Sequence, residues 1–300
     1  MKAAVICSKG MGDGLMMMVA SYNLLLKGYS VTTFQDSLHQ LQSYFPNQYF
    51  AKKETITSLD EYDLIILQND NSPFAFDLIN RYRYKIHTLY ANYEEDKHPT
   101  LDPRDRVFDR GLPLVTNIGL SMASILGNVY PIIENGMVVP KDLEYRKHAN
   151  RVMIHPTSTS PSRTWARDKF LKVAKKLTKK GYEVQFSLNP DEKKLWEGIP
   201  FETPEFKNLT DLAAHLYESH FLIGNESGTG HLASNLGIPT LIVASCPKQM
   251  RLWRPGFLLG KVVTPPSYIP NIKLLRLRKN HWQSFISPNH VIHAFNKAEK

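Results

Sequence analysis

Cysteine is nearly missing from this chain: Cys7 and Cys246 are the only two in 300 residues, far apart and outside any Cys-x-x-Cys or metal-ligand spacing. That usage fits a reducing compartment. Nowhere do about 18 apolar residues follow one another, which excludes an ordinary transmembrane helix. The opening residues, Met1-Lys2-Ala3-Ala4-Val5-Ile6-Cys7, form an apolar stretch cut short by Ser8 and Lys9, so the apolar region of a signal peptide is lacking. A cytoplasmic location is therefore expected. Short repeats and low-complexity tracts are absent too, which sets aside solenoids and disordered linkers. No Asp-x-Asp pair occurs, so the sequence offers no obvious carboxylate pair for a divalent cation.

What is present suits a two-domain enzyme or binding protein. Three hundred residues exceed the size at which one core usually stops growing, so two domains of about 150 residues each are expected. An apolar share of 42% against 22% charged residues supplies both cores and excludes a disordered chain. The net charge of +9 favours an acidic partner: nucleic acid, a phosphorylated small molecule or an anionic lipid surface. With no recognition helix or base-stacking motif, nucleic acid is not expected among the partners.

Along the chain, apolar strands alternate with helical patterns, the signature of a parallel sheet covered on both faces. Strands are expected at Ala3–Cys7, Tyr29–Phe34 and Leu64–Leu67, with helices at Leu15–Lys27, Ser37–Tyr44 and Ala75–Arg83. Tyr93–Pro113, charged and proline-containing, reads as a long surface loop. Polar Glu134–Ala149 reads as a linker that divides an amino-terminal domain, residues 1–142, from a carboxy-terminal one, residues 143–300. The same cadence then restarts, with strands at Arg151–Ile154, Glu183–Leu188, Phe221–Gly224 and Thr240–Ala244. Helices are expected between them at Asp168–Lys180, Asp211–Tyr217 and His231–Leu236. A helical tail, Asn289–Lys297, either finishes the second domain or crosses back to the first.

Three segments carry candidate chemistry. Gly10-Met11-Gly12-Asp13-Gly14 lies between the first strand and the first helix, where glycines permit a sharp turn beside free helix amides. A dinucleotide fingerprint needs Gly-x-Gly-x-x-Gly, and Leu15 stands in the third glycine's place, although Asp36 after the second strand can serve as a ribose-binding acid. Asp13 either projects from the carboxyl edge of the sheet toward a ligand or only complements the helix dipole. The second segment, His155-Pro156-Thr157-Ser158-Thr159-Ser160-Pro161-Ser162-Arg163-Thr164-Trp165, offers hydroxyls and a forked cation, an anion cradle or a set of turn formers. The third runs Phe221-Leu222-Ile223-Gly224-Asn225-Glu226-Ser227-Gly228-Thr229-Gly230-His231. A buried strand there ends in a turn whose amides and hydroxyls converge, the outline of a diphosphate site, unless the glycines serve geometry alone.

Together these segments resemble the heptosyltransferase family, family 9 of the glycosyltransferases, best over Arg151–Pro255. The resemblance is carried by Gly12-Asp13, by His155-Pro156 with Arg163-Thr164-Trp165, and by Glu226-Ser227-Gly228-Thr229-Gly230-His231 followed by Ala233 and Gly237-Ile238-Pro239. Thr157, Arg163, Ala166 and Glu226 stand where the family has Gly, Lys, Pro and Asp. The resemblance implies an α/β fold of the GT-B class, two Rossmann-like domains facing each other across a cleft and closing over their substrates. It implies inverting, metal-independent transfer of a sugar, heptose from ADP-heptose, to lipopolysaccharide core or a related glycan. No cofactor is expected, the ADP-sugar being a substrate.

In that scheme Asp13 is the general base, on an acceptor-side loop with Gly10, Met11 and Gly12. Arg163 and the amides of Ser227, Gly228 and Thr229 stabilise the departing diphosphate, assisted by Thr157 and Ser158. Glu226, Gly230 and His231 belong to the same donor site, with Gly230 adding flexibility to the turn and His231 anchoring its phosphate side. Asp191 or Glu192 binds the ribose hydroxyls. The basic run Lys273, Arg276, Arg278, Lys279 and His281 fits contact with anionic lipid on the inner face of the cytoplasmic membrane, or a merely solvated surface. Two other readings remain: a non-catalytic nucleotide-sugar-binding protein, and an NAD-dependent oxidoreductase.

Overall fold

The computed structural model describes residues 1–269 and 280–299. By internal contacts the chain divides into two compact units, Met1–Pro140 and Lys141–Lys300. Each is built on one parallel sheet with helices, the α/β class of Rossmann-like units expected from the sequence.

In the first unit, β1 (Lys2–Ile6), β2 (Ser30–Phe34), β3 (Tyr49–Ala51), β4 (Leu64–Gln68), β5 (Ile86–Tyr90) and β6 (Arg106–Val107) are ordered β3-β2-β1-β4-β5-β6. Strand β1 pairs with β4 from Ala3↔Leu64 to Ile6↔Leu67. These strands are nearly continuous apolar runs because a parallel sheet clad on both faces gives them no solvent side. Helix α1 (Met11–Leu26) is buried along most of its length and packs on β2 and α3 (Leu114–Leu126). Helix α2 (Pro73–Arg81) starts on Ser72, whose hydroxyl accepts from the Ala75 amide, with Pro73 in the first turn. The chain winds from β1 toward β3 on one side, then from β4 toward β6 on the other. Its topological switch point therefore lies between β1 and β4, where open α/β sheets place ligands.

Two expectations for this unit change. Helix α1 begins at Met11, four residues before Leu15, so Met11 and Gly12 lie in its first turn rather than in an acceptor-side loop, and Gly10 is the residue that caps the helix. The glycines serve packing here. A Cβ on Gly14 would lie 2.7 Å from Cγ of Gln35. The second change concerns Tyr93–Pro113, which is not a mere surface loop, for it buries His98, Asp105 and Phe108 and contributes β6. Its buried acid is matched from outside the segment: Arg83 donates twice to Asp105, at 3.0 and 2.8 Å. His98 stacks on Tyr93 and bonds Asn71 at 2.6 Å. A polar segment whose groups find partners on neighbouring elements can be buried without the desolvation penalty that composition alone would suggest.

The second unit orders β7 (His148–His155), β8 (Glu183–Phe186), β9 (Ser219–Asn225), β10 (Thr240–Val243) and β11 (Lys261–Val263) as β11-β10-β9-β7-β8. The switch point falls between β7 and β9, which pair from Val152↔Phe221 to His155↔Gly224. Among the described residues its helices are, in chain order, α4 (Arg167–Thr178), α5 (Pro190–Lys193), α6 (Leu209–Tyr217), α7 (Gly228–Asn235), α8 (Pro247–Trp253) and α9 (Pro288–Ala298). The tail helix α9 packs on α4, β10 and β11, setting Val291 and Phe295 into the core beside Phe170 and Phe221. It thus sits on the second unit. Of the basic run, Lys273, Arg276, Arg278 and Lys279 lie outside the described residues. Among the described residues no helix is long and apolar enough to cross a membrane.

Candidate active site

Asp13 occupies the first turn of α1, at the carboxyl edge of the first sheet and at its switch point. Its Oδ1 accepts from Nε2 of Gln68, the last residue of β4, at 2.8 Å. Burial pushes its carboxyl above the usual range, and the nearby Asp70 adds to that rise. The Gln68 hydrogen bond, the helix amide and Lys53 pull the other way. Asp36, the acid that kept a dinucleotide reading open, is exposed and accepts from the Lys53 backbone amide at 3.0 Å. A neighbour holds the glycine turn instead. Gln35, 1% exposed, donates to the carbonyls of Lys9 and Gly10 at 3.2 and 3.3 Å.

In the second unit the candidate residues gather at the carboxyl ends of β7 and β9. His155 donates through Nδ1 to the Ser187 carbonyl at 2.9 Å, which leaves Nε2 as acceptor toward the Thr157 hydroxyl at 3.4 Å. Burial lowers its pKa, so the ring is neutral in that tautomer. Gly224 stands opposite because a Cβ there would lie 2.6 Å from the His155 carbonyl oxygen. Asn225, fully buried, donates to the Pro156 carbonyl at 2.5 Å and accepts from the Trp165 amide at 3.0 Å. One carboxamide thereby ties both ends of the hydroxyl-rich segment to β9. Within that segment Ser158 donates to the Ser160 carbonyl at 2.8 Å, and Thr157 is buried.

Arg163 lies on the 3-10 turn Pro161–Arg163 and is already engaged. Its Nη2 donates to the Thr159 hydroxyl at 2.6 Å, and Nη1 stands 3.5 Å from Oε1 of Glu226. Ser227 caps α7, its hydroxyl accepting from the Gly230 amide at 3.4 Å. The amides of Gly228 and Thr229 precede the first intrahelical bonds and have no helical acceptor. Gly230 is not a flexible turn residue, as expected above, but part of α7, close-packed so that a Cβ would meet Ile242 Cδ1 at 3.1 Å. His231 is buried with Nδ1 lacking a partner, and burial lowers its pKa to about 4. It therefore contributes a neutral ring, not a cation, to this edge at neutral pH. Beyond β8, Asp191 is exposed, while Glu192 is spent on the cap of α5, accepting from the Asn189 amide at 2.8 Å.

Residues 138–255, which hold all of the carboxy-terminal candidates, match the sequence profile of glycosyltransferase family 9 (heptosyltransferase). This region is a family 9 glycosyltransferase domain. Solved structures share the fold over the entire chain. The ADP-heptose lipopolysaccharide heptosyltransferase II of Escherichia coli superposes with a TM-score of 0.68 at 16% identity, covering 100% of this chain and 98% of that one. A family 9 glycosyl transferase from Veillonella parvula gives 0.70 at 18%, with 99% and 97% covered. E. coli heptosyltransferase WaaC with ADP gives 0.70 at 15%, with 99% and 100% covered. At these identities the likeness establishes the fold, and with it the GT-B class expected from the sequence. No curated protein matches the sequence.

Against the family 9 pattern, two departures meet in space. Arg163 replaces the expected Lys and Glu226 the expected Asp, and these two residues form the ion pair just described. The longer acid thus reaches the forked base that replaces the lysine. Three residues of the site escaped sequence reasoning: Gln35, Gln68 and Asn225. Each is a polar residue at or just past the carboxyl end of an apolar strand, a signal visible once those ends are known. Asn225→Ala should lower stability by about 2–3 kcal/mol, since it strands a buried carbonyl and a buried amide. Thermal unfolding checks it; an unchanged melting temperature would show that the segment needs no such tie.

Proposed function

We propose that this protein is an inverting, metal-independent glycosyltransferase that moves a sugar, heptose from ADP-heptose, to lipopolysaccharide core or a related glycan. The observation that carries the reading is the half-buried Asp13 carboxylate at the switch point of the first sheet, hydrogen-bonded on one oxygen and raised in pKa by burial. An acceptor hydroxyl is a poor nucleophile, and a carboxylate made more basic by burial is suited to take its proton as the new bond forms. On the donor side, charge grows on the leaving diphosphate. Arg163 and the amides at the start of α7 would take that charge, with Thr157 and Ser158 beside them.

Charge distribution supports this division of labour. The first unit carries 12 Lys and Arg against 15 Asp and Glu, the second 25 against 13, so the positive excess belongs wholly to the proposed donor half. A nucleoside diphosphate is drawn to such a surface, and a glycan hydroxyl has no need of one.

The test is incubation with ADP-heptose and a truncated core acceptor, with and without a chelator. Acceptor-dependent ADP release, an inverted anomeric centre and indifference to the chelator are expected. Tight ADP-heptose binding without transfer would favour the non-catalytic binder instead.

A further inference from the structure

Asp13 is held by more than its own helix. The strands on either side of β1 each end in or just before a buried glutamine, Gln35 after β2 and Gln68 at the end of β4, 1% and 4% exposed. Gln35 donates to the carbonyls of Lys9 and Gly10, and its own oxygen accepts from the amides of Ser37 and Leu38 at 2.7 and 2.9 Å. It anchors the turn from below. Gln68 spans the turn, accepting from the Ser8 amide at 3.0 Å through Oε1 and donating to Asp13 Oδ1 at 2.8 Å through Nε2. With Oδ1 so occupied, Oδ2 is left over Gly10, where any Cβ would approach it to 2.5 Å. One carboxylate oxygen is tethered and the other faces a residue with no side chain.

We infer that Gln68 is a positioning residue for glycosyl transfer, clamping Asp13 so that a single carboxylate oxygen points at the acceptor hydroxyl. The inference rests on the reading of Asp13 as the base. A donor to the carboxylate favours its charged form, so Gln68 also limits how far burial raises the basicity of Asp13. The other titratable and charged groups around Asp13 are Cys7 just past β1, whose thiol is itself pushed up by burial and by Asp13, together with Lys53, Asp36 and Asp70 on the neighbouring exits. None of these replaces the tether: the side-chain donor to the Asp13 carboxylate is Gln68.

The experiment compares wild type with Gln68→Met, which keeps length and removes the donor, and with Gln68→Glu, which keeps shape and acceptor. Three readouts are taken: ADP-heptose affinity, the pH profile of transfer, and the Asp13 carboxyl titration followed by carbon-13 NMR. Gln68→Met should bind donor within about twofold of wild type. Its turnover near pH 7 should fall about tenfold, with the acid limb and the NMR midpoint both moving up by about one pH unit. Gln68→Glu should move the midpoint further, because it sets a second acid against the first. If Gln68→Met fails to fold, the Glu variant alone decides.

An Asp13 midpoint that stays put in both variants overturns the clamp, whatever happens to turnover, because a merely structural residue would lower rate without moving the titration. Failure of the underlying reading looks different. Asp13→Asn would then retain transfer while the midpoint in Gln68→Met still rises.

Discussion

Asp13→Asn should reduce glycosyl transfer by about 10²–10⁴-fold, the usual worth of a positioned proton acceptor, while leaving the affinity for ADP-heptose near that of the wild type. The asymmetry follows from timing, because the base acts on the acceptor proton only as the new bond forms, so its loss appears in turnover and not in donor binding. The pH dependence follows as well. Because burial raises its pKa, Asp13 becomes the active carboxylate at a higher pH than an exposed aspartate, and the acid limb of the rate profile should lie above the ordinary carboxylate range. For stability the sign is opposite to the common acidic case. A group whose folded pKa lies above its unfolded value favours the fold below the unfolded pKa, and that contribution is lost as pH rises through the folded pKa. Ionised Asp13 therefore costs stability at neutral pH. Asp13→Asn, which can still accept from Gln68, should be as stable as the wild type or more so, a trade of stability against activity. Retained turnover, or a lower melting temperature at pH 7 with turnover unchanged, would remove Asp13 from the mechanism.

Arg163→Ala should lower both turnover and donor affinity, by about 10- to 100-fold in kcat/KM, the worth of one charge-assisted hydrogen bond to a phosphate oxygen. The ion pair with Glu226 does not stand against this role. Arg163 is 36% exposed and its nearest guanidinium nitrogen lies 3.5 Å from the carboxylate, so the pair is worth about 0–1 kcal/mol and exchanges readily for a dianionic partner. Glu226 then reads as a resting partner that keeps the guanidinium near the donor edge. On this account Glu226→Gln should change stability little and leave ADP binding equal or tighter, whereas Arg163→Ala weakens it. Titration calorimetry with ADP on both variants separates the two. If Arg163→Ala binds ADP and turns over within twofold of the wild type, the leaving-group charge is stabilised elsewhere, the α7 amides being the next candidates.

Much of the fold was legible in the residues. Continuous apolar runs such as Ala3–Ile6 and Leu64–Leu67 declared buried parallel strands, and the alternation with helical patterns declared two α/β units. The glycine-rich exits of β1 and β9 marked the places where backbone approaches most closely. Elements with weak local signals were lost: β3 has three residues and β6 two, and neither has a period to detect. Glycine spacing places the start of α1 too late, because Gly14 is required not by a turn but by the side chain of Gln35 packed against it.

Amino-acid order alone therefore determined the kind of fold, the family pattern of the carboxy-terminal half and the identity of the candidate acid and cation, since each depends on local periodicity or on spacing within one segment. Only the tertiary structure decided which partners those groups have. That Gln68 reaches Asp13 across 55 positions, that Asn225 ties Pro156 to Trp165, and that Arg163 meets Glu226 are consequences of strand order. Parallel crossovers bring the ends of β1 and β4, and of β7 and β9, side by side at the two switch points. No local pattern encodes which strand will be the neighbour.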